Sequence, residues 1–203
     1  MTELELTEWC EALGESNFRG KQLYEWMYRQ GAKSFEEMTN ISKKFRDYLI
    51  LNCSLVTLSL AKTLRSNLDE TIKFLFKTKD GSFIESVSMV DGNRHTVCIS
   101  SQIGCALNCS FCETGKMGLN RNLSTGEIVD QLLLIKDFIS KPITNVVFMG
   151  MGEPFHNYSN VINACDIFHS PFGCNLSASR ITISTVGMLP QIKKFIKEKN
   201  KYK

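Results

Sequence analysis

An α/β architecture behind a small helical module and an antiparallel β segment is the fold class that the sequence predicts. Three observations predict it. Apolar residues recur at helical spacing through the first fifty positions, alternate in strand fashion after Cys53, and settle into repeated strand–helix units after Cys112. The expected divisions are a helical accessory module at 1–52, an antiparallel β linker at 53–93, and the first part of a (βα) barrel at 94–203.

The 203 residues carry a formal net charge of +3 and 43% hydrophobic side chains, ample for a core. No apolar run is long enough to cross a bilayer. The opening Met1-Thr2-Glu3-Leu4-Glu5 is acidic where a secretory signal is basic. A cytoplasmic location is therefore expected, where the eight cysteines stay reduced and metal or catalytic roles come ahead of disulfides. The mild positive charge is compatible with an RNA partner without arguing for one.

In the helical module, Leu6, Trp9, Cys10 and Leu13 share a face, and Gly14 is placed to end that helix as its C′ residue. Phe18–Gly31 is the clearest helix, with Leu23, Trp26 and Met27 on one side and Arg19, Lys21 and Arg29 among the polar positions. Phe35–Met38 is expected to turn. Thr39 or Asn40 is expected to cap a helix carrying Ile41, Phe45, Tyr48 and Leu49. The module reads either as a bundle with solvated charges or as a basic, aromatic-bearing surface that touches RNA.

Residues 54–65, 70–78, 82–90 and 94–100 are rich in Val, Ile, Thr and Phe and read as strands. Lys79-Asp80-Gly81 and Asp91-Gly92-Asn93 supply hairpin turns. Further on, Ser124-Thr-Gly-Glu127 is a capping box that opens a helix running to about Ile139. Strand 143–149, helix 157–168, strand 180–184 and helix 189–196 follow. The lysine-rich tail to Lys203 is expected to be a solvated helix end.

Just past the midpoint lies Cys105-Ala-Leu-Asn-Cys109-Ser-Phe-Cys112. Three thiols in eight residues can face one centre only on a curled loop, and thiolate suits zinc, copper(I) and iron–sulfur clusters. A structural zinc takes four protein ligands, and no second CxxC-type pair follows. Three cysteines are one short of a cubane's four irons, leaving one iron for a ligand that is not protein. Taken alone, the spacing still admits a cluster, zinc, a disulfide or chance clustering. Beyond the next strand stands Gly150-Met-Gly-Glu-Pro154, where paired glycines allow close backbone approach and Glu153 could hold an ammonium group. A strand-end turn without a ligand would look the same.

Together these segments are specific. Cys98 through Cys112, Gly118–Leu123, Thr144–Pro154 and Ser184-Thr-Val-Gly187 resemble the bacterial radical S-adenosylmethionine (SAM) methyltransferases that methylate C2 of an adenine in 23S rRNA and tRNA. Phe18-Arg-Gly-Lys-Gln and Glu37-Met-Thr-Asn-Ile-Ser-Lys match that family's N-terminal module. The related C8 methylase shares the cluster region but typically lacks a Pro at position 154, which favours the C2 branch. By resemblance, the fold is a partial radical SAM barrel. Cys105, Cys109 and Cys112 hold a [4Fe–4S] cluster, and Gly152, Glu153 and Ser184 contact SAM.

The resemblance also places Glu85 at a general base and Cys98 at a second redox cysteine. Read from residues alone, Glu85 is a strand carboxylate, and Cys98 is a core thiol or a fourth metal ligand. The implied partners are 23S rRNA, tRNA and an electron donor such as flavodoxin, with the protein a monomer away from membranes. In the family, SAM methylates a cysteine near the C-terminus. A radical from a second SAM activates that methyl group for transfer, and a disulfide to the cysteine at the position of Cys98 releases the product. No such C-terminal cysteine is matched here; Cys165 and Cys174 read as ordinary thiols. The expectation is a segment of a methyltransferase that is inactive alone, with an exposed sheet edge where later strands would sit. The alternative is a truncated, non-catalytic iron–sulfur/SAM- or RNA-binding protein. His95, His156 and His169 are scattered and carry no metal reading, and Trp9 and Trp26 are expected in the core.

Overall fold

Capping chemistry sets the helix starts. In the computed structural model, which describes residues 1–203, Thr2 and Glu5 form a reciprocal capping box at α1 (Glu3–Ala12), and Gly14 follows with φ +77°. α2 (Phe18–Tyr24) runs straight into a widened π-helical turn over Glu25–Gln30, which Gly31 ends in the left-handed region. A single turn of 3₁₀ helix covers Phe35–Glu37, and α3 (Lys43–Asn52) follows. The cap of α3 is Ser42, whose Oγ accepts from the Phe45 N–H. Thr39 and Asn40 are therefore not its caps, and Ile41 packs ahead of the helix rather than on it.

The strands are β1 (Leu58–Arg65), β2 (Ile72–Thr78), β3 (Phe83–Asp91), β4 (Arg94–Cys98), β7 (Asn145–Phe148) and β8 (Ile181–Ile183), forming one sheet in the order β1-β2-β3-β4-β7-β8. The first four pair antiparallel; β4, β7 and β8 pair in parallel. The antiparallel segment is thus more than a linker: it extends the parallel sheet without a break. A separate ribbon, unforeseen in the sequence, pairs β5 (Gln102–Gly104) with β6 (Leu119–Asn122).

Strand pleating assigns alternate residues to opposite faces. Phe74, Phe76, Ile84, Val97, Ile99, Val146, Phe148, Ile181 and Ile183 are buried on the covered face. They belong to the same core as α5 (Thr125–Phe138) and α6 (Tyr158–His169). α5 starts at the expected capping box of Ser124 and Glu127 and sets Ile128, Leu132 and Ile135 on its buried side. The core is continuous from Leu6 to Tyr202, so the helical module shares it with the sheet. Arg19 bridges to the Asn40 carbonyl, and Lys21 lies over the Phe172 ring, so both cations have structural contacts.

After α7 (Leu189–Lys197) the tail does not continue into solvent. Lys203 exchanges backbone hydrogen bonds with Ile181 and Ile183, and Tyr202 is buried with its hydroxyl on Asp166. Lys203 therefore pairs along the free edge of β8 with Tyr202 anchored beside it, which corrects the expectation of a solvated end beside a bare edge.

Candidate cofactor and active site

Everything proposed for the site leaves the C-terminal ends of β4, β7 and β8 or lies on the open face of the sheet. After β4 the chain enters the β5–β6 ribbon, and Gly104 turns it into the cysteine loop with φ +75°. A Cβ there would meet the Gly118 carbonyl at 1.9 Å, so only glycine fits. The Cys105 N–H donates to that same carbonyl (3.0 Å), the Cys109 N–H to Leu107 (3.0 Å) and the Cys112 N–H to Cys109 (3.0 Å). Gly115, in the short α4 (Glu113–Lys116), lets the chain close against the Leu107 carbonyl.

All three thiols are free; Cys105 is buried, while Cys109 and Cys112 are half-buried. No three His, Cys, Asp or Glu side chains are gathered closely enough to hold an ion, so the three sulfurs share a loop without converging on a centre. The donor set nonetheless fits a cluster with one open iron: three soft thiols on one closed turn. The Leu107 N–H is aimed at Cys105 Sγ at 3.4 Å.

The turn after β7 is held far more tightly. A Cβ on Gly150 would lie 2.7 Å from the Ile99 carbonyl, and one on Gly152 (φ +97°) would lie 2.8 Å from the Gln102 nitrogen. The Glu153 N–H donates to Gln102 Oε1 (2.8 Å). The Glu153 carboxylate, only 3% exposed, accepts from the Phe155 N–H (2.9 Å) and the Val186 N–H (3.0 Å). It therefore ties the turn after β7 to the loop after β8, where Ser184 is exposed. Each carboxylate oxygen keeps a second lone pair, so acceptor capacity for an ammonium group remains.

Sequence reasoning missed the polar frame beneath these loops. Gln131 on α5 accepts from the Ser86 hydroxyl and the Ser100 N–H and donates to the Ser100 carbonyl. Asn157 donates to the Ser101 and Leu123 carbonyls. The available signal was Gln131 itself, a polar residue inside the apolar stripe of α5.

Glu85 and Cys98 sit together on the open face. β3 pairs Val87 with Cys98, and Glu85 lies two residues from Val87 on the same side of the strand. Glu85 is half-exposed and ion-paired with Lys73 (3.1 Å). Burial pushes the Cys98 thiol above its ordinary pKa, and a backbone contact with Met149 partly opposes this. Cys165 lies in the core behind the sheet, where burial pushes its thiol well up; Cys174, beyond α6, is pushed up to about 12 for the same reason. Neither reaches the open face.

Parallel strands with ligand-type loops at their C-terminal ends define an α/β cofactor-binding fold. A model described as the radical SAM superfamily matches residues 99–202, and one described as the ribosomal RNA large subunit methyltransferase N-terminal domain matches residues 1–55. The chain belongs to the radical SAM superfamily, whose members use a [4Fe–4S] cluster and SAM.

Among its relatives is "Dual-specificity RNA methyltransferase RlmN 2" of Myxococcus xanthus, 47% identical over 196 residues, covering 93% of this chain and 52% of that protein. A "Probable dual-specificity RNA methyltransferase RlmN" of Leptospira interrogans is 47% identical over 202 residues, covering 98% of this chain and 57% of that one. The crystal structure of a radical SAM methyltransferase from Sphaerobacter thermophilus superposes with a TM-score of 0.92 at 41% identity, covering 100% of this chain and 60% of that structure. The chain spans about half the length of the curated relatives it matches.

Proposed function

We propose that these residues belong to a radical SAM methyltransferase that transfers a methyl group to C2 of adenine in 23S rRNA and tRNA. The observation that carries this reading is the arrangement of the C-terminal strand ends. The cysteine loop, the Gly-Met-Gly-Glu-Pro turn and Ser184 leave neighbouring parallel strands, with Glu85 and Cys98 on the adjoining open face. In this reading Cys105, Cys109 and Cys112 hold the [4Fe–4S] cluster, and Gly152, Glu153 and Ser184 position SAM. When bound, these cofactors supply radical chemistry and the methyl group.

The protein's own residues do the rest. Glu153 fixes two loops at once, so the SAM-binding edge is set before any ligand arrives. Glu85 is the proton acceptor at the adenine, freed from Lys73 when substrate enters. Cys98 is the thiol that would attack the sulfur of the family's methyl-carrying cysteine: the S–S bond forms as that sulfur's bond to the transferred carbon breaks, and the electron pair stays on the carbon, which takes up a proton to become the methyl group. The raised pKa of Cys98 keeps it protonated between turnovers. Residues 1–52 form the RNA-contacting module, residues 53–93 the β extension and residues 94–203 the barrel segment. An acidic low-potential flavoprotein such as flavodoxin supplies electrons to a cytoplasmic monomer. No helix is long and apolar enough to cross a membrane.

The test uses the protein as its own cell produces it. After anaerobic reconstitution, incubation with SAM, a low-potential reductant and unmodified 23S rRNA or tRNA should yield 2-methyladenosine by mass spectrometry. Glu85→Gln and Cys98→Ala should each abolish turnover while retaining iron. Methylation at another atom, or none in either RNA, contradicts the proposal.

A further inference from the structure

The register of the β extension sets two further cations, Lys62 and Lys77, beside the Lys73 that pairs with Glu85. Leu75 faces Lys62 across the β1–β2 pair and Glu85 across the β2–β3 pair, so these residues share the open face. Lys73 and Lys77 flank Leu75 on β2 and point the same way, by the alternation of a strand. Three ammonium groups thus stand on the face that also carries Glu85 and Cys98, at the end of the sheet nearest β1. Lys62, Lys73 and Lys77 are exposed. Lys73 alone is paired, to Glu85; Lys62 and Lys77 have no carboxylate partner. Phe83, directly opposite Lys77, is 46% exposed on the same face.

We infer that Lys62, Lys73 and Lys77, with Phe83, form an RNA-strand platform that delivers the target adenine along the sheet to Glu85. This rests on the proposed RNA methyltransferase reading and names a surface for its substrate outside the helical module. Lys73 and Lys77 are four strand residues apart, about 14 Å, and Lys62 lies across from the residue between them, so the cations line a track rather than one point. A row of fixed positive charge beside an exposed aromatic ring matches a polyanion with splayed bases. Phosphates approaching Lys73 compete with its pairing to Glu85, which couples RNA arrival to release of the Glu85 carboxylate. An acidic protein would find the same charges but has no use for Phe83 or for a track that ends at Glu85.

The experiment measures binding of an adenine-containing 23S rRNA hairpin, of single-stranded oligoadenylate and, as an acidic protein ligand, of flavodoxin across a salt series. Lys62→Gln/Lys77→Gln should weaken binding by roughly tenfold at about 0.1 M salt and lower the log–log salt slope by about 1.4, near 0.7 per lost phosphate contact. Phe83→Ala should weaken binding without changing the slope. Lys197→Gln/Lys201→Gln, equal in charge and remote on the tail, should leave both quantities nearly unchanged. Four results overturn the platform: no RNA binding by the unaltered chain, equal losses in both lysine pairs, no loss in the platform pair, or loss confined to an acidic flavodoxin. Formation of 2-methyladenosine by the platform variants at saturating RNA judges the proposed function separately, since these residues hold substrate rather than react with it.

Discussion

The two cofactor loops are built in opposite ways. The turn from Gly150 to Phe155 is cross-braced by buried side chains: Gln102 takes the Glu153 N–H, and Glu153 takes two more N–H groups from separate loops. The cysteine loop is closed mainly by its own backbone. Phe111 is 89% exposed, and the thiols do not converge. A braced turn is set by folding alone, whereas a loop whose side chains have few protein partners takes its final form from what binds it. Function should therefore separate from stability in one loop and merge with it in the other.

The largest expected effect breaks the comparison at the cysteine loop. Replacing any one of Cys105, Cys109 or Cys112 by Ala should remove the reconstituted iron, whereas Cys98→Ala should leave it intact. Thermal melts of the metal-free Cys109→Ala and Cys112→Ala proteins should stay within about 0.5 kcal/mol of the parent. A large destabilisation would show that the loop is braced after all.

Glu153→Ala should do the reverse, costing roughly 2 kcal/mol in the metal-free protein because the buried Phe155 N–H and the part-buried Val186 N–H lose their acceptor. An unchanged melt would mean that the carboxylate only awaits a ligand. Of similar size is Gly152→Ala, at about 2 kcal/mol, from a positive φ and a Cβ pressed on Gln102.

The smallest effect concerns pH. Burial pushes the Glu127 carboxyl up, but the Arg121 guanidinium and the Ser124 N–H outweigh it, leaving the pKa below the usual 4.5. A depressed folded pKa gives stability that is present above about pH 4.5 and lost as pH falls through the folded value. Melting temperature should therefore fall between about pH 5 and pH 3, less steeply in Arg121→Gln. Equal slopes would remove the ion pair between β6 and α5 from the account.

Much of the frame was legible because local chemistry dictated it. The capping box at Ser124, the glycine after α1 and the hairpin glycines at 81 and 92, all with positive φ, act within a few residues. What escaped depended on longer range. The β5–β6 ribbon has strands of three and four residues, too short for alternation to register. Ser42 caps α3 where Thr39 or Asn40 was expected, and the flanking Ile41 and Phe45 are both buried, a packing constraint that cap preference alone does not carry. The tail looked like a charged helix end because Tyr202 is one aromatic among lysines, and its burial needs β8 and Asp166. In the site, the cysteine spacing and the Gly-Glu-Pro turn could be read directly. The double role of Glu153 needed Val186, thirty-three residues away in sequence.

The most direct test of the central claim is the iron and acid-labile sulfide content of the chain after anaerobic reconstitution. About four of each per chain, lost together when a single loop cysteine is replaced, is the predicted result. Zinc in place of iron, or iron without sulfide, would contradict the assignment of Cys105, Cys109 and Cys112 as cluster ligands.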